Sequence, residues 1–443
     1  MTRARDLSQT AGGTFAGDIN VSNGTIKLDG NYPVGTDNVA LGNAALDSVE
    51  AGGSYNVAIG ASAGTAITTG DTNTAIGDVA LTANTTASNN VAVGSVAMNV
   101  NTTGGNNVAV GTEALRQNTT ASNNTAVGYK AGHLNTTGTT IDAFGAYSLY
   151  NNTTGSNNTG IGTNAMYYNT TGGYNVAVGR DALQENTTAS NNTAVGYRAG
   201  YFNTTASNNT ALGYQALKAA TTGDENTAVG RNAGYAITTG PSNTIIGNAT
   251  AGSLTTGSGN VIVGHACNVT AAGGNYAMGL GHNLSCDAGY TTLGNGASDI
   301  RAAHGVATWA TVSDERYKKD IVDSTVGLSF INDLTPRTFK YKTLGELPET
   351  FRAYKEGSTQ VFKNSDTNHG FIAQEIKAAI DLHPEIKDGF RLWDERDDGG
   401  QEVAEAALIP ILVKAIQELS AKNDALSAKN DALTARITAL EAN

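Results

Sequence analysis

Disulfides, cations, prolines and aromatic side chains are all scarce in this chain. Two Cys in 443 residues cannot build a disulfide framework. Only 6 Pro accompany the 54 Gly, which excludes the Pro-rich Gly-X-Y repeat of collagen. Lys and Arg number 27 against 39 Asp and Glu, a net charge of −12. That balance argues against nucleic acid as a partner, because phosphate contacts need cations. No run of about 18 apolar residues occurs, so no membrane insertion by a helix is expected. The opening MTRARDLSQTAGG has no apolar segment of the secretory-signal kind. The hydrophobic fraction of 40% is still too high for a disordered low-complexity chain, and the length points to two or three domains.

Charge is unevenly distributed. Residues 38–294 hold 11 acidic and 6 basic side chains, whereas residues 295–443 hold 24 and 18. A fourfold change in density places a boundary near residues 295–312.

What the low-charge region has is a repeat. Glycines closing the phrases NTAVG and NVAVG stand at Gly42, Gly60, Gly77, Gly94 and onward to Gly264, and after a first step of 18 every step is 17. A strict period this short predicts a solenoid whose units lean on their neighbours. The V-A-V-G alternation, with Asn, Gly and Ser punctuation in each unit, reads as strand and turn rather than helix. One β-coil per unit, stacked ~4.8 Å apart over some fifteen steps, gives a rod on the order of 70 Å long. The Val and Ile pairs (Val91 with Val93, Val176 with Val178) are expected to face a thin core. The intervening Ala92, Ala109, Ala177 and Ala194 then face outward or toward a neighbouring chain. So narrow a rod buries little apolar surface alone, and three chains sharing one interior would remedy that.

The phrase Asn56 to Gly60, NVAIG, and its many relatives resemble the SVAIG-type motif of trimeric adhesin heads, the left-handed parallel β-roll of the YadA type. The resemblance covers about residues 38–296 and implies a trimeric, mainly β fold.

The charged block carries three phrases: Ser313-Asp314-Glu315-Arg316-Tyr317-Lys318-Lys319, Leu334-Thr335-Pro336-Arg337-Thr338-Phe339-Lys340-Tyr341 and His369-Gly370-Phe371-Ile372-Ala373-Gln374-Glu375-Ile376. In this order, with a helical tail behind them, they closely resemble the intramolecular chaperone domain of phage tailspikes and tail fibres, the endosialidase-type or S74 peptidase family. The resemblance implies a domain that trimerises, guides folding of the fibre and cuts itself off. The family's Ser–Lys dyad matches Ser313 and Lys318. The chemistry is coherent, because a Ser hydroxyl needs a base and a Lys serves as one when desolvation or nearby positive charge lowers its pKa. Lys319 supplies such a charge. Residues five apart share neither a strand face nor the best helical face, so the backbone must bend between them or Lys319 takes the role.

The tail reads as a coiled coil without any resemblance. Ile409, Ile416, Asn423, Asn430 and Ile437 occupy a positions, and Leu412, Leu419, Leu426, Leu433 and Leu440 occupy d positions. Asn at two a positions fixes register at a cost in stability, and Pro410 sits harmlessly at the helix start.

Several features receive plain readings. The N-T-T triplets match glycosylation acceptors but read better as turn chemistry stacked coil on coil. Thr ladders of this kind also order water in ice-binding solenoids. Cys267 and Cys286 read as two buried thiols on neighbouring rungs. His133, His265, His282, His304, His369 and His383 have no ligand spacing, so no metal or other cofactor is expected. Asp224 with Glu225, and Asp181 with Glu185, read as solvated loops rather than a glycosidase pair. Tyr129-Lys130, Tyr197-Arg198 and Tyr214 either contact surface sugars or form ladders that stabilise the rod.

The expectation is therefore a mainly β protein: an N-terminal attachment segment (1–37), a β-solenoid shaft or head (38–296), a linker (297–312), an α+β chaperone domain (313–407) and a coiled coil (408–443). Its implied role is a homotrimeric phage tail fibre or tailspike, located in the virion and assembled in the host cytoplasm. Expected partners are a host surface receptor, in one version a glycan, and the virion tail or a neighbouring fibre protein through the N-terminus. Enzymatic activity is limited to one self-cleavage. The alternatives are a bacterial trimeric adhesin, which needs a secretion signal and a membrane anchor, and an ice-binding solenoid.

Overall fold

A computed structural model describes residues 36–296, 298–305, 310–311, 315–386, 391–396 and 399–442. The chain is mainly β and divides into two compact units, Met1–Ser313 and Asp314–Asn443. The first is a parallel β-solenoid of about fifteen turns. The second is a small α+β unit ending in a long helix.

Each coil of the solenoid contributes one three-residue strand, from Val39–Leu41 to Thr244–Ile246. Every strand pairs in parallel with the next, position for position, as in Thr193↔Thr210, Ala194↔Ala211 and Val195↔Leu212. The rest of each coil is a chain of turns, and these also bond rung to rung.

The coil beginning at Asn192 shows what builds it. Asn192 is buried, and its Nδ2 donates to the Ala206 carbonyl, in the turn just before Asn209, at 2.9 Å. Its Oδ1 accepts from the Asn209 backbone amide of the next rung at 2.9 Å, while its own amide donates to Asn175 Oδ1 of the rung before at 3.0 Å. A second buried ladder runs through Asn203, whose Nδ2 donates to Asn186 Oδ1 at 2.9 Å. The glycine that ends the strand, Gly196, has φ +135°, and a Cβ there would lie 2.4 Å from the Gly213 carbonyl oxygen. No side chain fits, which is why glycine returns with the period. The Thr of each turn follows the same logic: Thr204 Oγ1 donates to the Thr221 carbonyl at 3.1 Å. The stacked-turn reading of the N-T-T triplets therefore holds.

The expected orientation of the strands is reversed. Ala92, Ala109 and Ala177 are fully buried and Ala194 nearly so, while Val91, Val93 and Val178 are only half-buried and Val176 is exposed. The reason is alternation along a strand. The Asn that opens nearly every phrase is buried, bonded to the carbonyl 14 residues on and to the backbone of the next rung, so the Ala two residues on points inward too, and Val and Ile point out. The interior is filled by Ala, the Asn ladders and, in most coils, a larger side chain such as Leu115, Met166 or Leu183.

The parallel ladder continues through Val261–His265, Met278–His282 and Tyr290–Asn295. It then reverses: Ser298–Ala303 and Ala310–Thr311 pair antiparallel, so strands also occur in the segment expected to be a linker. Cys267 and Cys286 are buried free thiols, as expected, and burial pushes the Cys286 thiol up to about 12, an inert environment. The expected attachment segment lies, but for its last two residues, outside the described residues.

Replacing Asn192 with Ala strands the Asn209 amide and opens a void. It should lower the stability of the solenoid by on the order of 3 kcal/mol, whereas Thr188→Ala, at an exposed position, should stay within about 0.5 kcal/mol. The urea midpoint and hydrogen exchange of the neighbouring rungs measure both.

Candidate functional site

The second unit is organised by a core of Val326, Phe330, Ile376, Ala379, Ile380, Leu392, Leu408 and Ile411. Three helices supply most of it: α1 (Leu328–Asp333), α2 (Ala373–Asp381) and α3 (Leu408–Glu441). Only the first turns of α3, through Leu408, Ile411 and Ala415, are buried. Glu418 of α3 also accepts from the Leu328 amide at 2.9 Å, where α1 begins and its amides lack helical partners.

Two of the sequence phrases meet in space. Arg337–Phe339 pairs antiparallel with Asn368–Gly370, so Thr338 faces His369. The chain then enters α2, where Glu375 turns back toward Arg337. The guanidinium donates twice to that carboxylate, Nε to Oε2 at 2.9 Å and Nη2 to Oε1 at 2.8 Å. This two-pronged geometry is the strongest form of such a pair. The bonded Arg337 holds the Glu375 carboxyl below the usual carboxylate range. Beside the strands an open groove of about 1400 Å³ is lined by Phe339, Tyr341, Phe362 and Trp393, with Lys363 over the Tyr341 and Phe362 rings.

A second node was not visible in the phrases. His383 sits at the end of α2, with Nε2 2.8 Å from Asp333 Oδ2 and Nδ1 3.1 Å from Glu385 Oε1. Its ring stands edge-on to buried Phe330, centroids 5.2 Å apart. The bond to Asp333 above all, and then Glu385, raises its pKa against the opposing effect of burial. Fifty residues separate His383 from Asp333, so no local spacing announces the pair.

Of the expected dyad, Lys318 is exposed just after the short 3-10 turn Glu315–Tyr317, and its amide donates to the Glu315 carbonyl at 2.9 Å. Ser313 lies outside the described residues. In the solenoid, Asp181 is buried and bonded to Arg198 at 3.3 Å and to Asn164 at 3.1 Å, which commits it to the ladder rather than to a catalytic pair with Glu185.

The segment that carries Ser313, Lys318, Arg337, Glu375 and His383 is the segment that matches a known family. Residues 313–383 match the family model described as chaperone of endosialidase. The solenoid is followed by an S74-type chaperone domain. Neither the curated proteins nor the solved structures give a match to the chain. Within the chaperone domain, the Arg337–Glu375 pair joins the second phrase to the third, and the node at His383 closes the matched segment.

The two nodes set opposite pH limits. The Glu375 contribution is present above the ordinary carboxylate pKa of about 4.3 and is lost as pH falls through its lowered folded value. The His383 contribution is present below the ordinary imidazole pKa of about 6.5 and is lost as pH rises through its raised folded value. The urea midpoint of the chaperone domain should therefore peak at about pH 5–6.5. His383→Gln should flatten the alkaline limb and leave the acid limb in place.

Proposed function

We propose that this protein is a homotrimeric tail fibre or tailspike of a tailed phage. The solenoid is its shaft and receptor-binding part, and the chaperone domain assembles three chains and then releases itself by cleavage beside Ser313. The observation that carries this reading is the chaperone-of-endosialidase match at residues 313–383, directly behind a solenoid of about fifteen turns.

Two exposed apolar surfaces favour association of chains; Ile at a with Leu at d alone would favour two, and three is the number associated with the chaperone family. The outward strand positions form a continuous file along the solenoid, including Leu41, Ile59, Phe144, Ile161, Leu212, Ile246 and Leu280, each exposed in the single chain. An apolar file of this length is a seam for further copies rather than a solvated face. The a and d residues of α3, from Ile409 and Leu412 to Ile437 and Leu440, are exposed in the same way, as a coiled coil requires before its partners arrive.

For the cleavage, Ser313 is the nucleophile: its hydroxyl oxygen attacks the carbonyl carbon of residue 312, Lys318 takes the hydroxyl proton and returns it to the Ser313 nitrogen, and the C–N bond between residues 312 and 313 breaks as that nitrogen leaves as the amine. The resulting ester is then hydrolysed, which leaves a product of about residues 1–312. Lys319, the adjacent residue, is the alternative base.

Mass measurement of the purified protein, native and denatured, tests the reading. The expected result is a native particle of three chains, each cut near residue 312, with Ser313→Ala and Lys318→Ala giving uncut trimers and Lys319→Ala still cutting. An intact monomer overturns the proposal. A Ser313→Ala chain that still splits overturns the cleavage mechanism, and loss of cutting in Lys319→Ala alone moves the base to Lys319.

A further inference from the structure

Aromatic side chains are not spread along the solenoid. Nine of the 17 Tyr fall between Tyr129 and Tyr214, although the repeat runs far beyond on both sides. Two adjacent columns of the coil carry much of the cluster. In the first, His133, Tyr150 and Tyr167 lie flat upon one another, with centroids 5.0 and 5.1 Å apart and planes within 7°. Those separations equal the rung spacing, so these rings are closed into a ladder and offer a ligand only their edges.

The second column behaves differently. Tyr168 stands at 75° to Tyr167, and Phe202 at 89° to Tyr201, which turns both rings out of the ladder. They are 42% and 44% exposed. The backbone ladder that joins Tyr168 to Gln184, and Glu185 to Tyr201, sets Glu185 on the rung between them. The two rings are thus two rungs apart, about 10 Å. In several other coils this position holds only Ala or Val (Ala66, Ala83, Val100, Ala219, Ala236), although Gln117, Leu134 and Asn151 also occupy it, so the fold itself does not require bulk there.

Glu185 is half-buried. Its carboxylate has no hydrogen-bond or ion-pair partner among the described residues. The nearby cation Arg198 is engaged by Asp181 at 3.3 Å and lies over the Tyr197 and Tyr201 rings. Burial raises the Glu185 pKa, and the Tyr201 phenol is raised by burial and then by the charge of Glu185.

We propose that Tyr168, Glu185 and Phe202 form a binding site for a neutral glycan on the flank of the solenoid, an inference that rests on the receptor-binding reading of that unit. The chemistry selects this occupant. Two exposed ring surfaces match the C–H faces of successive pyranose units, which are apolar, while a carboxylate between them accepts hydrogen bonds from neighbouring ring hydroxyls. A flat apolar protein surface would bury that carboxylate without a donor, at a cost. An anionic sugar would meet it charge against charge.

Saturation-transfer NMR of the full chain tests the site, using maltotriose and cellotriose as neutral probes and a sialic-acid trisaccharide as the anionic one. At least one neutral probe should bind through its ring C–H protons, and the anionic probe should bind at least tenfold more weakly. The double variant Tyr168→Ala/Phe202→Ala should lose binding tenfold or more, and Glu185→Gln, which preserves shape, should weaken it several-fold. Tyr174→Ala, an exposed ring on another corner of the coil, should bind as the parent does. Failure of both neutral probes to bind, equal binding of the anionic probe, or unchanged binding by the double variant overturns the proposal. Adsorption of the chain to bacterial cells separates the two levels. Adsorption that survives the double variant overturns this site and leaves the receptor-binding reading standing, whereas a parent chain that adsorbs to no cell overturns that reading itself.

Discussion

The buried Asn that opens nearly every coil is the constraint on which the solenoid depends; Ile141 is the exception within the run from Asn38 to Asn260. Its side-chain amide holds the carbonyl of the adjoining turn and its oxygen serves the next rung, as Asn192 does for Ala206 and Asn209. A 17-residue coil holds only a thin apolar centre, mostly Ala with some larger side chains, and beside it the Asn ladder satisfies backbone groups of the adjoining turn and of the next rung. Such a network is stable only when complete, because an unmatched group in a dry interior costs more than a matched one contributes. Repetition keeps it nearly complete: an Asn receives from one neighbour and gives to the next, except where Ile141 interrupts the first ladder and where the second ends at Asn203, whose Oδ1 is left without a partner. Removing one member therefore disturbs two rungs.

The same constraint decides what the outside looks like. With Asn and Ala committed to the interior, Val, Ile, Leu and Phe of the strands are left facing out as an apolar file. Helix α3 repeats this situation in another form, with its first turns buried against α1 and its remaining a and d residues exposed. Both units thus present apolar surface that one chain leaves uncovered, and a C-terminal domain of the chaperone family is the kind of device that would bring copies together before those surfaces meet anything else.

Much of the fold was legible because glycine leaves an unambiguous trace. Gly196 and its equivalents have a backbone geometry and a neighbouring carbonyl that admit no side chain, so the period could be counted directly. The facing of the strands was misread, since hydrophobicity places Val inside unless the hydrogen-bonding demand of the preceding Asn is weighed first. At the candidate site the phrases around Ser313, Arg337 and Glu375 were readable as a family signature, yet their geometry was not. Arg337 and Glu375 are 38 residues apart and His383 and Asp333 are 50 apart, separations that no helical or strand periodicity encodes. The Tyr168–Glu185–Phe202 group was hidden for a related reason. Its members are 17 residues apart, and they become neighbours only once the coil position of each is known.

The central claim is that inward Asn and Ala force the Val and Ile file outward into a seam between chains. Thiol labelling of the native full-length protein tests it directly, with single Cys introduced at Val178 on the file and at Thr188 on an exposed turn; the native Cys267 and Cys286 are buried. The account predicts that Thr188→Cys reacts freely while Val178→Cys is protected until the chains are dissociated. Equal, rapid reaction at both positions in the native protein would contradict it.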